Sequence, residues 1–422
     1  MTVLDRLDRL QEQGALPRAA VGAVPDHRGA STTIPLHNRL PGTVLPIVGS
    51  SFLVDVAYPA ETYHGFYPLS GVRTLSGTSL SIASRDDQMR YFEPASAVFL
   101  DTETTGLSLG TGTYVFLIGL GWLDGTTFRV RQYFLGRPSD EPAMLAALAD
   151  HLSGFGTIVS FNGKAFDWPI LESRYLYQRQ PPPFCEPLHL DLLHAARRLW
   201  RRRLESCALG SLEASLLGVG RTRDDVPGWE IPSLYFHYQR TGDGTLLEGV
   251  FYHNLIDVLS LATLASHVAR TISQPFDESR DALDWYSLGR LFDITRQNDL
   301  AIRCLEESLL SGLDRELRID ALTRLATIYR RDRRWTEAQP VWDRLVDEGE
   351  LAAVWALVEA AKFHEHVERD CGQALDFVRN AMLILDIGNF ADADEIRAGL
   401  NHRFARLIDK SMARSRRAQE RT

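Results

Sequence analysis

The sequence predicts an α/β domain with a mixed central sheet flanked by helices, followed by an all-α array of helical repeats. Three observations carry this reading. Between residues 96 and 270, short apolar runs alternate with helical periodicity, and three of the runs come early, two of them joined by a tight Asp124-Gly125 turn. Between residues 281 and 388 the strand signals vanish, and an apolar pattern recurs 37 residues apart. No stretch reaches the roughly 18 uninterrupted apolar residues of a membrane span.

Residues 1–95 read as an N-terminal extension: a short charged helix, a loop and a few strands, among them 51–58 (SFLVDVAY). The Gly- and Pro-rich stretch 22–49 reads as partly disordered. The start, MTVLDRLDRLQEQG, lacks the apolar core of a signal peptide, so a cytoplasmic location is expected. In the middle region the expected strands are 97–101 (AVFLD), 114–122, 128–134 and 157–161, with a further one ending near Leu190 and Asp191. The expected helices are 141–152, 167–177, 192–203, 211–217 and 252–269. From 281 to 410, Trp285, Leu288, Gly289, Phe292, Ala301 and Leu305 have tetratricopeptide-like spacing. Leu322, Leu325, Ala326, Tyr329, Ala338 and Trp342 repeat it. Val358, Ala361, His364, Ala374 and Val378 form a less regular third copy. Three hairpins are about the minimum that buries a continuous core.

The 422-residue chain carries a formal net charge of −9. A protein that coats duplex nucleic acid is usually basic, whereas an enzyme acting on a strand end needs only a local positive groove. Lysine occurs only at 164, 362 and 410, so nearly all positive charge is arginine. Cys185, Cys207, Cys304 and Cys371 lie far apart with no CxxC spacing, which argues against a zinc site or a disulfide framework.

Three motifs carry the chemistry. In DTETTG, Asp101 and Glu103 stand at i and i+2 at the end of an apolar strand and therefore face the same side. A buried strand has little reason to end in two carboxylates unless a cation sits there, and paired hard oxygens suit Mg²⁺ or Mn²⁺. In FNGKAFD, a strand runs into a glycine turn and Asp167 opens the next helix, where it could alternatively be an N-cap. In HNLID, His253 and Asp257 are i and i+4 on one helix face, an arrangement that also occurs as a plain surface pair.

Together these motifs resemble the DEDD exonucleases of the ribonuclease-H-like superfamily. DLLHAARRLW (191–200), DDVPGWEIPSLYFHY (224–238) and HNLIDVLSL (253–261) further resemble the YprB-type branch, and the helical array fits it. The resemblance implies a ribonuclease-H-like fold over 96–270 and two Mg²⁺ or Mn²⁺ ions held by Asp101, Glu103, Asp167 and Asp257. It also implies a 3′→5′ exonuclease, on DNA rather than RNA, working in repair beside a helicase. One spacing departs from the family pattern: His253 stands four residues before Asp257 and Tyr252 five, the reverse of the two subclasses. On a helix, i+4 lies about 40° from i and i+5 about 140° away. Geometry therefore favours His253 as the group that orients or deprotonates water.

Substrate contacts are expected from Lys164, Asn162 and Phe166, with Phe161 and Trp168 nearby. Asp191 is a further carboxylate near the cluster, left outside the ligand set. Arg197, Arg198, Arg201, Arg202 and Arg203 read as a solvated helix face or a phosphate-tracking edge. Residues 221–238 read as a loop able to cover the site. The competing readings are a nuclease fold without turnover that recruits a partner through its repeats, and an exoribonuclease.

Overall fold

The computed structural model describes residues 36–106, 112–184, 186–222, 224–278, 280–388, 390 and 393–419. The expected N-terminal helix, and residues 22–35 of the stretch expected to be disordered, lie outside this range. The rest of that stretch is not featureless, because Thr43–Val48 forms strand β1.

The elements up to the end of the sheet are β1, β2 (Ser51–Pro59), a small β3–β4 hairpin (Tyr63–His64 and Tyr67–Pro68), α1 (Gly77–Ser84), β5 (Ala97–Thr104), β6 (Val115–Asp124), β7 (Thr127–Phe134), α2 (Glu141–Leu152), β8 (Thr157–Ser160), α3 (Asp167–Tyr177) and β9 (Leu188–Asp191). The seven-stranded sheet has the order β1-β2-β7-β6-β5-β8-β9. Its first five strands pair antiparallel, and β8 and β9 join parallel to β5. The sheet is thus mixed, as expected. Segment 1–95 contributes two of its strands.

Strand alternation sorts β5 into two faces. Val98 and Leu100 join Ile118, Leu120, Ile158 and the α2 residues Leu145 and Leu148 in one core. Ala97 and Phe99 face the other core, with Phe128, Val130 and Val159. Each such fully buried side chain contributes on the order of 2 kcal/mol. Because Asp101 and Glu103 continue the Ala97–Phe99 parity, the second face carries the carboxylates.

That second face is covered by α4 (Leu192–Trp200) and by α6 (Leu247–Ser273), while α5 (Ile231–Thr241) packs on the first. The ring of Tyr235 on α5 stacks on Phe116 at 4.1 Å. Residues 221–238 are therefore not one loop. Pro232 sits in the first turn of α5, where a missing N–H costs nothing. Helix α6 also starts earlier than expected, because Leu247, Val250 and Phe251 are already buried. By length and composition α6 could cross a membrane, but 83% of its apolar window is buried inside the protein.

Helices follow to the end: α7 (Ala282–Ile294), α8 (Asn298–Ser311), α9 (Arg315–Arg331), α10 (Trp335–Glu348), α11 (Glu350–Phe363), α12 (Cys371–Ile387) and α13 (Ala393–Gln419). Short connections make α7–α8, α9–α10 and α11–α12 successive hairpins, which fit the expected repeats. A Cβ on Gly289 would come within 2.7 Å of Leu305, so glycine is what lets α7 and α8 approach. The third copy is irregular because α11 ends in a π-helical turn, His364–Glu368. The array docks on the α/β domain through α4 and α7, where Arg203 pairs with Asp284 at 2.8 Å.

Two buried imidazoles and two half-buried ones are each paired with a hydroxyl: His267 with Tyr67 (2.6 Å) and His189 with Ser160 (2.7 Å), His64 with Ser260 (2.8 Å) and His151 with Tyr133 (3.0 Å). Burial pushes His64, His151 and His189 down to about 4, and His267 to about 3. A depressed folded value means the stabilising neutral ring is fully present above the ordinary 6.5 and lost as pH falls. The stabilising difference in urea midpoint between wild type and His267→Gln is expected to shrink as pH falls from 6.5 to 4. A difference that stays constant across that window would contradict this account.

Candidate active site

The site begins at the end of β5. Asp101 lies opposite Gly119 of β6, and Glu103 opposite Leu117. A Cβ on Gly119 would strike Asn254 Oδ1 at 2.3 Å, and one on Gly121 would strike Val258 at 2.5 Å. These two glycines let α6 lie against the sheet and bring its polar face to the β5 carboxylates. Asn254 Nδ2 donates to Asp101 Oδ2 at 2.8 Å, and Gln132 Nε2 donates to Asn254 Oδ1 at 2.8 Å. This buried amide chain fixes the Asp101 carboxylate.

One turn of α6 supplies the next two groups. His253 Nε2 stands 3.9 Å from Glu103 Oε1 and 3.7 Å from Asp257 Oδ2. The pair is no surface ornament: the side chains are 16% and 13% exposed. His253 Nδ1 lies 2.8 Å from Asp225 Oδ1. A carboxylate only accepts, so Nδ1 donates to Asp225 and Nε2 is the ring nitrogen that faces Glu103 and Asp257. Tyr252 points elsewhere. Its hydroxyl accepts from Thr222 N at 3.3 Å, and it lines a cavity with Leu40 and Phe251.

Arg221 lies at the centre of this face. Its Nε and Nη2 donate to the two Glu213 oxygens at 2.7 and 2.8 Å, and Nη2 also donates to Asp257 Oδ1. Glu213 is 1% exposed, so the fork is an internal ion pair. Sequence reasoning missed Arg221, Glu213, Asp225 and Asn254 as parts of the site. Only Asn254 carried a local signal, its place inside HNLID. The others arrive from segments whose spacing announces nothing.

Asp167 enters from the first turn of α3 and is not an N-cap. Its Oδ1 accepts from Thr102 Oγ1 at 2.5 Å. The strand residue between Asp101 and Glu103 thus ties α3 to β5. Asp191 caps α4 through Leu193 N (3.1 Å) and accepts from Asn162 N (2.8 Å) and Lys164 N (3.3 Å), so it shapes the 161–166 turn. Asn162 there adopts φ 64°, in the left-handed region. Lys164 and Phe166 are exposed on this turn, Phe161 is half-buried against the core, and Trp168 packs on Phe184.

Electrostatics set the state of the cluster. Burial raises Asp101 and Glu103 well above the usual carboxylate range; the charges of Asp257 and Asp167 raise both further. Asp257 is raised by burial and pulled back by His253 and Arg221. Asp167 is pushed up to about 6 by burial, against the pull of Thr102. Among the described residues no three such donors converge as they would around one ion. Asp257 is turned onto Arg221, Asp101 onto Asn254 and Asp167 onto Thr102. The donor set itself fits divalent cations: hard oxygens, mutually repelling and short of positive charge.

Residues 98–269 match the family model RNase_H_2, described as RNase_H superfamily. The chain is also 31% identical over 338 residues to "Uncharacterized protein YprB" of Bacillus subtilis (strain 168), a match covering 78% of this chain and 79% of that one. The chain belongs to the YprB family of the ribonuclease H superfamily. The superfamily match opens three residues before Asp101 and closes within α6, so it spans every side chain of the cluster. This ribonuclease-H-like fold supports a hydrolase acting on phosphodiesters and implies nucleic-acid binding. Nucleases of this superfamily generally use divalent metals.

Proposed function

We propose that the chain is a metal-dependent 3′→5′ exonuclease. The observation that carries this reading is the gathering of four carboxylates in which Asp167 and Asp257 lie close enough to raise both Asp101 and Glu103, with His253 Nε2 facing Glu103 and Asp257. Asp101, Glu103, Asp167 and Asp257 would hold two Mg²⁺ or Mn²⁺ ions. When bound, such ions supply charge stabilisation at the phosphate and a low-pKa water. His253 takes the proton of the attacking water at Nε2, while Asp225 holds the ring through Nδ1. Arg221 orients Asp257 and keeps a fixed positive charge in the site. Lys164, Asn162 and Phe166 lie on the adjoining turn, where an exposed ammonium and an exposed ring suit a phosphate and a terminal base. The 3′→5′ polarity, the preference for DNA, a repair role and a helicase partner rest on family resemblance.

The test is degradation of end-labelled single-stranded DNA and RNA with Mg²⁺, Mn²⁺ or EDTA, by the wild type and Asp101→Ala. A ladder growing from the 3′ end, dependent on metal and absent in the variant, is expected on DNA. Binding without cleavage under every condition would overturn the enzyme reading.

A further inference from the structure

A cleft of about 570 Å³ lies where the helical array meets the α/β domain, and six arginines line it: Arg85, Arg197, Arg198, Arg201, Arg202 and Arg290. They come from three places: the C-cap of α1, α4 with the turn that follows it, and α7. Among the described residues none of the six is ion-paired to a carboxylate, in a chain with 55 acidic and 46 basic residues. Acids are not far away. Arg203, next in sequence, pairs with Asp284, and Asp87 pairs with Arg90. Arg203 therefore belongs to the domain junction and not to the cleft.

The guanidiniums are held, not merely crowded. Arg202 and Arg290 lie over the Tyr286 ring, 5.1 and 5.7 Å from its centre. Stacking fixes the plane of a guanidinium and leaves its N–H edge to donate. Arg290 Nε is buried with no hydrogen-bond partner. Arg198 Nη1 is anchored on Ala83 O at 3.2 Å. Burial, then the neighbouring Arg85 charge, push Arg198 below its ordinary value. Arg197 and Arg201 also line a second cavity, shared with Phe161 and Asn162 on the turn leading to Asp167.

We propose that this arginine cleft binds the phosphodiester backbone of the single nucleic-acid strand whose end lies in the active site. The inference rests on the nuclease reading and extends it, because Arg290 makes the first helical hairpin part of the strand's path. Six guanidiniums without an ion-pair partner in one cleft repel one another until a polyanion enters. Planar forks match phosphate oxygens two at a time and read no sequence.

The experiment is fluorescence anisotropy of the full chain with labelled oligothymidylates, short and long, in EDTA so that nothing is cleaved, over a range of salt. The triple variant Arg85→Gln/Arg202→Gln/Arg290→Gln is expected to lose at least about tenfold affinity for the long strand, and its salt slope to become shallower by about 2, near 0.7 per lost contact. The short strand should lose much less. If the triple variant misfolds, Arg85→Gln alone, at an exposed position, should still flatten the slope by about 0.7. Unchanged affinity and slope in a folded variant would overturn the proposal. So would dependence on these arginines for an acidic peptide but not for the oligonucleotide. Hydrolysis is read separately with metal present, so absent cleavage with arginine-dependent binding would count against the nuclease reading alone.

Discussion

Asp167→Asn is expected to lower hydrolysis at least a thousandfold, about 4 kcal/mol of transition-state stabilisation, while making the metal-free protein more stable. The two effects have one cause. Asp167 is half-buried at the start of α3, beside other carboxylates, and is pushed up to about 6 from an ordinary 3.8. A raised folded value contributes stability only below the unfolded value and loses it as pH rises through about 6. At neutral pH without metal, the ionised carboxylate costs about 3 kcal/mol, at about 1.4 kcal/mol per pKa unit. Asparagine keeps an acceptor for Thr102 Oγ1 and removes the charge. Urea unfolding in EDTA should therefore show the variant ahead of wild type above pH 6, with the gap closing toward pH 4. Added Mg²⁺ should raise the wild-type midpoint and not the variant's. A variant less stable than wild type in EDTA would refute the account of a cluster short of positive charge.

The buried histidines act in the opposite sense. Their neutral rings lose stability as pH falls below 6.5, while the carboxylate cluster gains it. Metal-free wild type is thus squeezed from both sides, and metal relieves only the alkaline side.

Arg221→Met is expected to cost about 3–5 kcal/mol of stability, because it strands a buried carboxylate. Glu213 is 1% exposed, and its two oxygens both accept from the Arg221 fork. Methionine keeps the length of the stem and offers no donor. The double variant Arg221→Met/Glu213→Gln should recover a large part of that loss, since replacing both partners of a buried pair is far milder than removing one. Chemical denaturation of the two singles and the double measures the coupling. Simple additivity would show that the pair is not the source of the cost. In both Arg221 variants Asp257 loses its donor, so metal affinity measured by calorimetry should change even where the fold survives.

Local periodicity determined a good deal. The alternation in AVFLDTET placed Asp101 and Glu103 on one face of β5, and the i, i+4 spacing placed His253 and Asp257 on one face of α6. The strand and helix alternation marked the mixed sheet, and the recurring apolar pattern marked the helical hairpins. Where the reading failed, segments holding proline and glycine had been read whole as loop or disorder. Pro232 starts a helix, and the glycine- and proline-rich run before residue 50 hides an edge strand. Tertiary structure alone decided that Arg221 reaches Glu213 and Asp257, and that Asp225 holds His253. It alone brought Arg85 and Arg290 beside the α4 arginines. Periodicity reports which way a side chain faces its own element; it carries no information on which distant segment arrives to meet it.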